Sequence, residues 1–197
     1  DAAQPAVKME GRASAGASAS RGNTRTESYH LDAEFIARSL KNRYSAGAKG
    51  NYGSDDGEQS LGNASAYARF DHFYSKKAYF NSNLSLTHDK FQDLKLRTTV
   101  GAGLGYQFWD DSTRRLSAEL GLNYIHANYH NADNEGQVAA RWALDSRYRF
   151  SQGLTLFHRH EVFFGLEQTS DVLLRSQTGL RVPLLGKLSG GFDVNFD

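Results

Sequence analysis

Alternation of apolar and polar residues, sustained over segments of about ten residues or more, constrains this chain more than any other feature. Leu96, Thr98, Val100, Ala102, Leu104, Tyr106 and Phe108 fill every second position of one stretch. Between them stand Arg97, Thr99, Gly101, Gly103, Gly105, Gln107 and Trp109. A period of two belongs to a strand with two unlike faces. The pattern recurs in Tyr29, Leu31, Ala33, Phe35, Ala37, in Leu116, Ala118, Leu120, Leu122, Tyr124, and in Val172, Leu174, Thr178, Leu180, Val182, until eleven segments are read. No helical period interrupts them.

Strands of soluble sandwiches run to about 5 to 6 residues. A strand of about 10 residues, tilted near 45°, crosses the hydrocarbon of a bilayer, and only a closed barrel leaves no unpaired backbone edge in lipid. The spacing therefore predicts an all-β fold, a transmembrane antiparallel up-and-down β-barrel with apolar residues outward and polar residues inward. The glycines of the first segment then face a lumen in which side chains of other strands need room. Single-chain bacterial barrels have even strand numbers. Eleven segments thus predict twelve strands with the last one outside this sequence, or ten if Gly11 to Ser20, whose apolar face is all alanine, is not a strand.

Composition agrees with apolar side chains spread over a surface. The 197 residues are 39% hydrophobic, yet include 10 tyrosines and 12 phenylalanines, and the mean hydropathy is -0.60. No run approaches the roughly 18 to 20 apolar residues of a membrane-spanning helix. The absence of cysteine excludes disulfides and thiol chemistry. With 23 basic and 22 acidic residues, scattered, the net charge is +1, which offers no basic stripe for nucleic acid. Residues 1–9 read as a polar tail, of the kind left by signal-peptide removal, and 10–197 as the barrel.

Two sorts of connection alternate. SLKN, YSKK, DDST and SQG are very short and flanked by aromatics; SDDGE, HDKFQD, NADNEG and QTSD are slightly longer and acidic. Short turns are expected at the periplasmic side and aromatic girdles at the interfaces. Phe70, Tyr74, Tyr106, Phe108, Trp109, Trp142, Tyr148 and Phe150 are the candidate interface aromatics. No connection is long enough for a plug or a large receptor surface.

Gly22-Asn23-Thr24, Tyr52 with Asp55-Asp56-Gly57, the run Gly101-Ala102-Gly103-Leu104-Gly105-Tyr106, and Thr178-Gly179-Leu180 occur in an order and spacing that resemble the bacterial family of salt-induced outer membrane proteins typified by YdiY, a domain of unknown function. The resemblance runs from about Gly11 onward. It implies an outer-membrane location in a Gram-negative bacterium and a link to salt or osmotic response, and it brings no reaction, substrate or catalytic residue. Where members often open the first strand with tryptophan, this chain has Met9-Glu10-Gly11, and members usually continue into a further closing strand.

His158-Arg159-His160-Glu161 is the most suggestive cluster. Two histidines two apart share a strand face and could hold a metal, but here that face is the apolar one, which favours a bulge or a neighbouring subunit. The acidic turns at Asp55, Asp56, Glu58 and at Asp133, Asn134, Glu135 read as solvated loops, although such oxygen clusters can hold divalent cations near lipopolysaccharide phosphates. Serines and seven histidines allow a hydrolase constellation by count, but no segment carries a hydrolase signature. No catalytic residue, metal site or cofactor is expected, and the chain reads as non-enzymatic.

The inward charges are the functional clue. Arg43, Lys49, Arg69, Lys95, Arg97, Glu119, Arg141, Asp145, Arg147, Arg159, Glu161, Arg175 and Arg181 are the candidate lumen-lining residues, of mixed sign and able to pair across a low-dielectric interior. A barrel of this size is largely filled by side chains. The expected function is a narrow channel or structural barrel in salt or envelope stress. The alternatives are a component of a larger envelope assembly, contacting through His158 and His160, or an outer-membrane lipolytic or proteolytic enzyme. Expected partners are membrane lipid and lipopolysaccharide, with an envelope protein as a further candidate and no nucleic acid.

Overall fold

The computed structural model describes residues 7–21, 25–150, 153–167, 172–183 and 189–196. They form eleven strands: β1 (Lys8–Arg21), β2 (Arg25–Arg38), β3 (Asn42–Asp55), β4 (Glu58–Phe73), β5 (Ala78–Asp89), β6 (Leu94–Asp110), β7 (Arg114–Tyr129), β8 (Glu135–Arg149), β9 (Thr155–Gly165), β10 (Val172–Pro183) and β11 (Ser189–Phe196). Each strand pairs with the next in sequence, the order of an up-and-down sheet, and no helix occurs among the described residues. The first strand is real. Gly11 to Ser20 lies wholly within β1 and pairs residue by residue with β2, from Lys8 opposite Arg38 to Arg21 opposite Arg25, which removes the ten-strand alternative. Because β1 begins at Lys8, the last two residues of the expected tail are strand; residues 1–6, Gly22-Asn23-Thr24 and the QTSD loop lie outside the described residues.

The chain divides into two compact units, 1–72 with 82–101 and 124–137, and 73–81 with 102–123 and 138–197. In the first, β2 and β3 pair antiparallel without interruption, and β3 and β4 do so up to a register shift between Gly53 and Ser54. Gly53 pairs with Leu61 and Ser54 with Gln59, so Ser60 is the extra residue, an insertion that turns the strand end beyond it over relative to the rest of β4. In the second unit β8, β9, β10 and β11 pair antiparallel in continuous register.

Burial is inverted relative to a water-soluble core. Leu31, Leu104 and Leu120 are 62%, 62% and 63% exposed, while Asp71, Glu119 and Arg141 are 0%, 7% and 7% exposed. The exposed face of the strands is the apolar face read from the sequence, including Tyr29, Val100, Leu122, Phe164 and Val194. The covered face holds the charges together with Phe73, Tyr79, Phe157 and Phe163. These four aromatics stand out of phase with the apolar pattern and were not anticipated.

The connections differ from expectation in length. Asp55 and Glu58 still pair, so the SDDGE connection is a two-residue turn of Asp56 and Gly57, with φ of 50° and 88°. Both central residues are left-handed, which is the hairpin turn that suits twisted strands and selects Asp-Gly. Residues 90–93 and 130–134 form turns of four and five residues, the second as long as expected, whereas 39–41, 74–77 and 111–113 are of three, four and three. Turn length therefore does not separate the two ends of the strands.

Candidate functional site

In the second unit a hydrogen-bonded row crosses the covered face. Tyr79 on β5 donates its hydroxyl to Glu119 Oε1 at 2.6 Å. Arg141 Nη1 on β8 donates to Glu119 Oε2 at 2.8 Å, and Arg141 Nε donates to Glu161 Oε1 on β9 at 2.6 Å. Odd-numbered positions of neighbouring strands meet on one face, which is why residues so far apart in sequence join. Charges this covered are costly unless paired and hydrogen-bonded, and Arg141 meets that condition with both carboxylates. One step along, Arg159 Nε donates to Asp145 Oδ2, directly opposite it, at 2.7 Å. Arg175 and Arg181 lie over the rings of Phe163 and Phe157, at 5.8 and 4.9 Å from the centroids, where the negative ring faces favour a cation.

The first unit has its own network. Asp71, fully buried, accepts from Arg43 Nε at 2.7 Å and from Arg69 Nε at 2.8 Å. Glu34 accepts from Tyr67 at 2.7 Å and pairs with Arg12 at 2.9 Å. Of the other expected lining residues, Lys49 and Lys95 are exposed and Arg97 and Arg147 partly covered. Neither Arg97 nor Arg147 has a carboxylate within 4 Å among the described residues; Glu119 is taken by Tyr79 and Arg141 instead. Asp71 and Tyr79 are the key members absent from the expected set. Asp71 lies in phase with the polar face, but nothing in spacing shows that two arginines converge on it.

The glycine run of β6 has two uses. Tyr79 takes the space over Gly105, as expected for a crowded face. Gly103 instead lets β6 approach β7, since a Cβ there would meet Leu120 O and lie 2.9 Å from Gly121 Cα.

The aromatics cluster beside the turns. Tyr44 packs on Phe70 at 5.1 Å, Tyr106 on Phe108 at 5.1 Å and Tyr148 on Phe150 at 4.8 Å between centroids. Tyr74 is in the 74–77 turn, 66% exposed, and Arg114 lies 5.6 Å from the Trp109 ring. Trp142 is different. It stands at the middle of β8 and donates Nε1 to His160 Nε2 at 2.9 Å, so it belongs to the histidine pair and not to a girdle.

That pair lies in unbroken register, Ser146 opposite His158 and His158 opposite Thr178, so no bulge is present. A neutral imidazole has one donor and one acceptor nitrogen. Because Trp142 donates to His160 Nε2, His160 Nδ1 carries the proton and donates to His158 Nε2 at 3.2 Å; His158 Nδ1 then donates to Thr178 Oγ1 at 2.7 Å. All four ring nitrogens are used by protein groups, which leaves no lone pair for a metal. Among the described residues no group of three or more His, Asp or Glu is placed to hold a metal ion.

In the 111–113 turn the Asp111 carboxylate accepts from the backbone amides of Arg114 and Thr113 at 2.6 and 2.9 Å. These bonds hold its pKa below the ordinary aspartate range.

The profile of the family described as "Protein of unknown function, DUF481" matches residues 13–197. The chain is 23% identical over 188 residues to the uncharacterized protein YdiY of Escherichia coli (strain K12), covering 92% of this chain and 75% of that protein. Among solved structures, the translocator domain of the autotransporter NalP from Neisseria meningitidis aligns with 97% of this chain and 82% of its own length, at 13% identity and a TM-score of 0.45.

Proposed function

We propose that this chain, which belongs to the DUF481 family, is a non-enzymatic β-barrel of the Gram-negative outer membrane, with a narrow interior held shut by ion pairs and passing small ions weakly. Inverted burial carries the reading. Fully burying a Leu or Phe is worth about 1.5–3 kcal/mol, and continuous apolar faces in water are a liability; hydrocarbon removes that cost. The paired charges opposite are then the lining. Arg141 between Glu119 and Glu161, and Asp71 between Arg43 and Arg69, tie neighbouring side chains of that lining together and fill the space in front of it. Membrane lipid and lipopolysaccharide are the immediate partners, and a role in salt or envelope stress follows the family resemblance.

Reconstitution in planar bilayers tests this. The wild type gives small conductance, and Arg141→Ala raises it by releasing Glu119 and Glu161. A wide-pore conductance of the wild type, or a monodisperse chain in water without detergent, overturns the reading. Growth of a deletion strain in raised external salt tests the stress role, with an unimpaired strain counting against it.

A further inference from the structure

We infer that the narrow interior selects anions over cations through the charged face of the second unit, an inference that rests on the channel reading above and gives the sign of the ions passed. Three cross-strand rows on that face lie next to the connection between β8 and β9: Asp145 with Arg159 and Gln177, Arg147 with Phe157 and Gly179, and Arg149 with Thr155 and Arg181. They hold four arginines and one carboxylate. Asp193 on β11 stands opposite Gly179, which makes the ratio four to two. On the neighbouring β7, Arg115 is matched by Asp110 at 3.2 Å. Farther along the strands the charges balance, with Arg141 between Glu119 and Glu161, and Arg175 opposite Glu161. The positive surplus is therefore gathered at one end of the face, in Arg147, Arg149 and Arg181.

The contacts of these arginines leave their charge unspent. Arg159 is neutralised by Asp145 at 2.7 Å, but Arg147, Arg149 and Arg181 have no carboxylate within 4 Å among the described residues. Arg181 rests on the Phe157 ring, 4.9 Å from its centroid, a contact that orients a guanidinium without cancelling its charge. Arg147 feels Arg115 and Arg149 as well as Asp145 and Asp110. Like charges gathered in this way repel and add nothing to the stability of the fold. Mobile anions relieve the repulsion, because a narrow passage with low-dielectric walls focuses the field of one sign and raises the local concentration of the opposite ion. Arginine and lysine lining is how anion pores obtain their selectivity. The effect needs no fixed binding cavity and no particular anion, only three guanidinium groups beside a path that ions take.

The reversal potential of the full chain in planar bilayers of uncharged lipid, under a gradient of potassium chloride, tests this. The current should reverse on the side that chloride dictates, with chloride favoured over potassium by about tenfold at low salt and by less as salt screens the arginines. Arg147→Gln with Arg181→Gln should remove most of the preference, and Arg147→Glu with Arg181→Glu should turn it towards potassium. A wild-type current that prefers potassium, or neither ion, overturns the inference while leaving the channel reading in place, and this measurement does not depend on the folding of any variant. A chloride preference that survives the glutamate pair in a conducting variant overturns it too. If the wild type passes no current at any salt concentration, the channel reading fails first and the selectivity with it.

Discussion

Tyr79 occupies the space that a side chain at Gly105 would need: a Cβ there would run into the phenol ring, whose hydroxyl donates to Glu119 at 2.6 Å. The ring reaches over β6 from β5 to a carboxylate on β7 because the intervening residue has no side chain. Gly105→Ala should therefore destabilise by about 1–3 kcal/mol, as overpacking does. Urea unfolding in detergent measures it. Combined with Tyr79→Leu, the alanine should cost much less than it does alone, because neighbouring changes couple; simple additivity would count against the crossing.

Arg141→Met should lower stability by about 3–5 kcal/mol, since it leaves Glu119 and Glu161 covered without their cation. Replacing all three charges together, with Glu119→Gln, Arg141→Met and Glu161→Gln, should recover most of that loss. A triple variant no more stable than Arg141→Met would show that the pairing is not what holds this part of the face.

Gly57→Ala should cost about 1–2 kcal/mol, because its φ of 88° is one that side chains avoid. Gly57→Asn, a residue that tolerates left-handed backbone, should cost less. Equal costs for both would sink the turn assignment.

Asp111 should titrate below an exposed aspartate, as followed by carboxyl NMR of the refolded chain. The sign follows from the lowered pKa. The carboxylate's contribution to the turn is fully present above the unfolded pKa of about 4 and fades as pH falls through the lower folded value. Asp111→Asn should remove this pH response, and an unchanged response would place its origin elsewhere.

Strand positions and face assignment were legible because one residue of slip turns a whole strand over. Leu31, Leu104 and Leu120 are exposed as their phase required. What period two does not encode is reach. Glu119 was legible as a covered charge, but its partners Tyr79 and Arg141 depend on which residues of other strands lie level with it. Turn length was misjudged at Asp56 and Gly57 because acidic residues look solvated in sequence, while their left-handed backbone makes the tightest connection among the described residues. The histidines were suspect because a lone imidazole on an apolar face is costly. Trp142 and Thr178, from the strands on either side, supply what the local sequence lacked.

The placement of polar and apolar groups turns over the usual map of mutational tolerance. A lysine introduced at Leu120 or Val100 would be a gentle change on the outside of an ordinary enzyme and a severe one in the membrane location proposed above. Conversely, the sites where engineers normally fear a charge already hold carboxylates and guanidinium groups. Anyone wishing to reshape this molecule should exchange its covered ionic residues only as whole paired sets, and treat its visible leucines as the part that takes no charge.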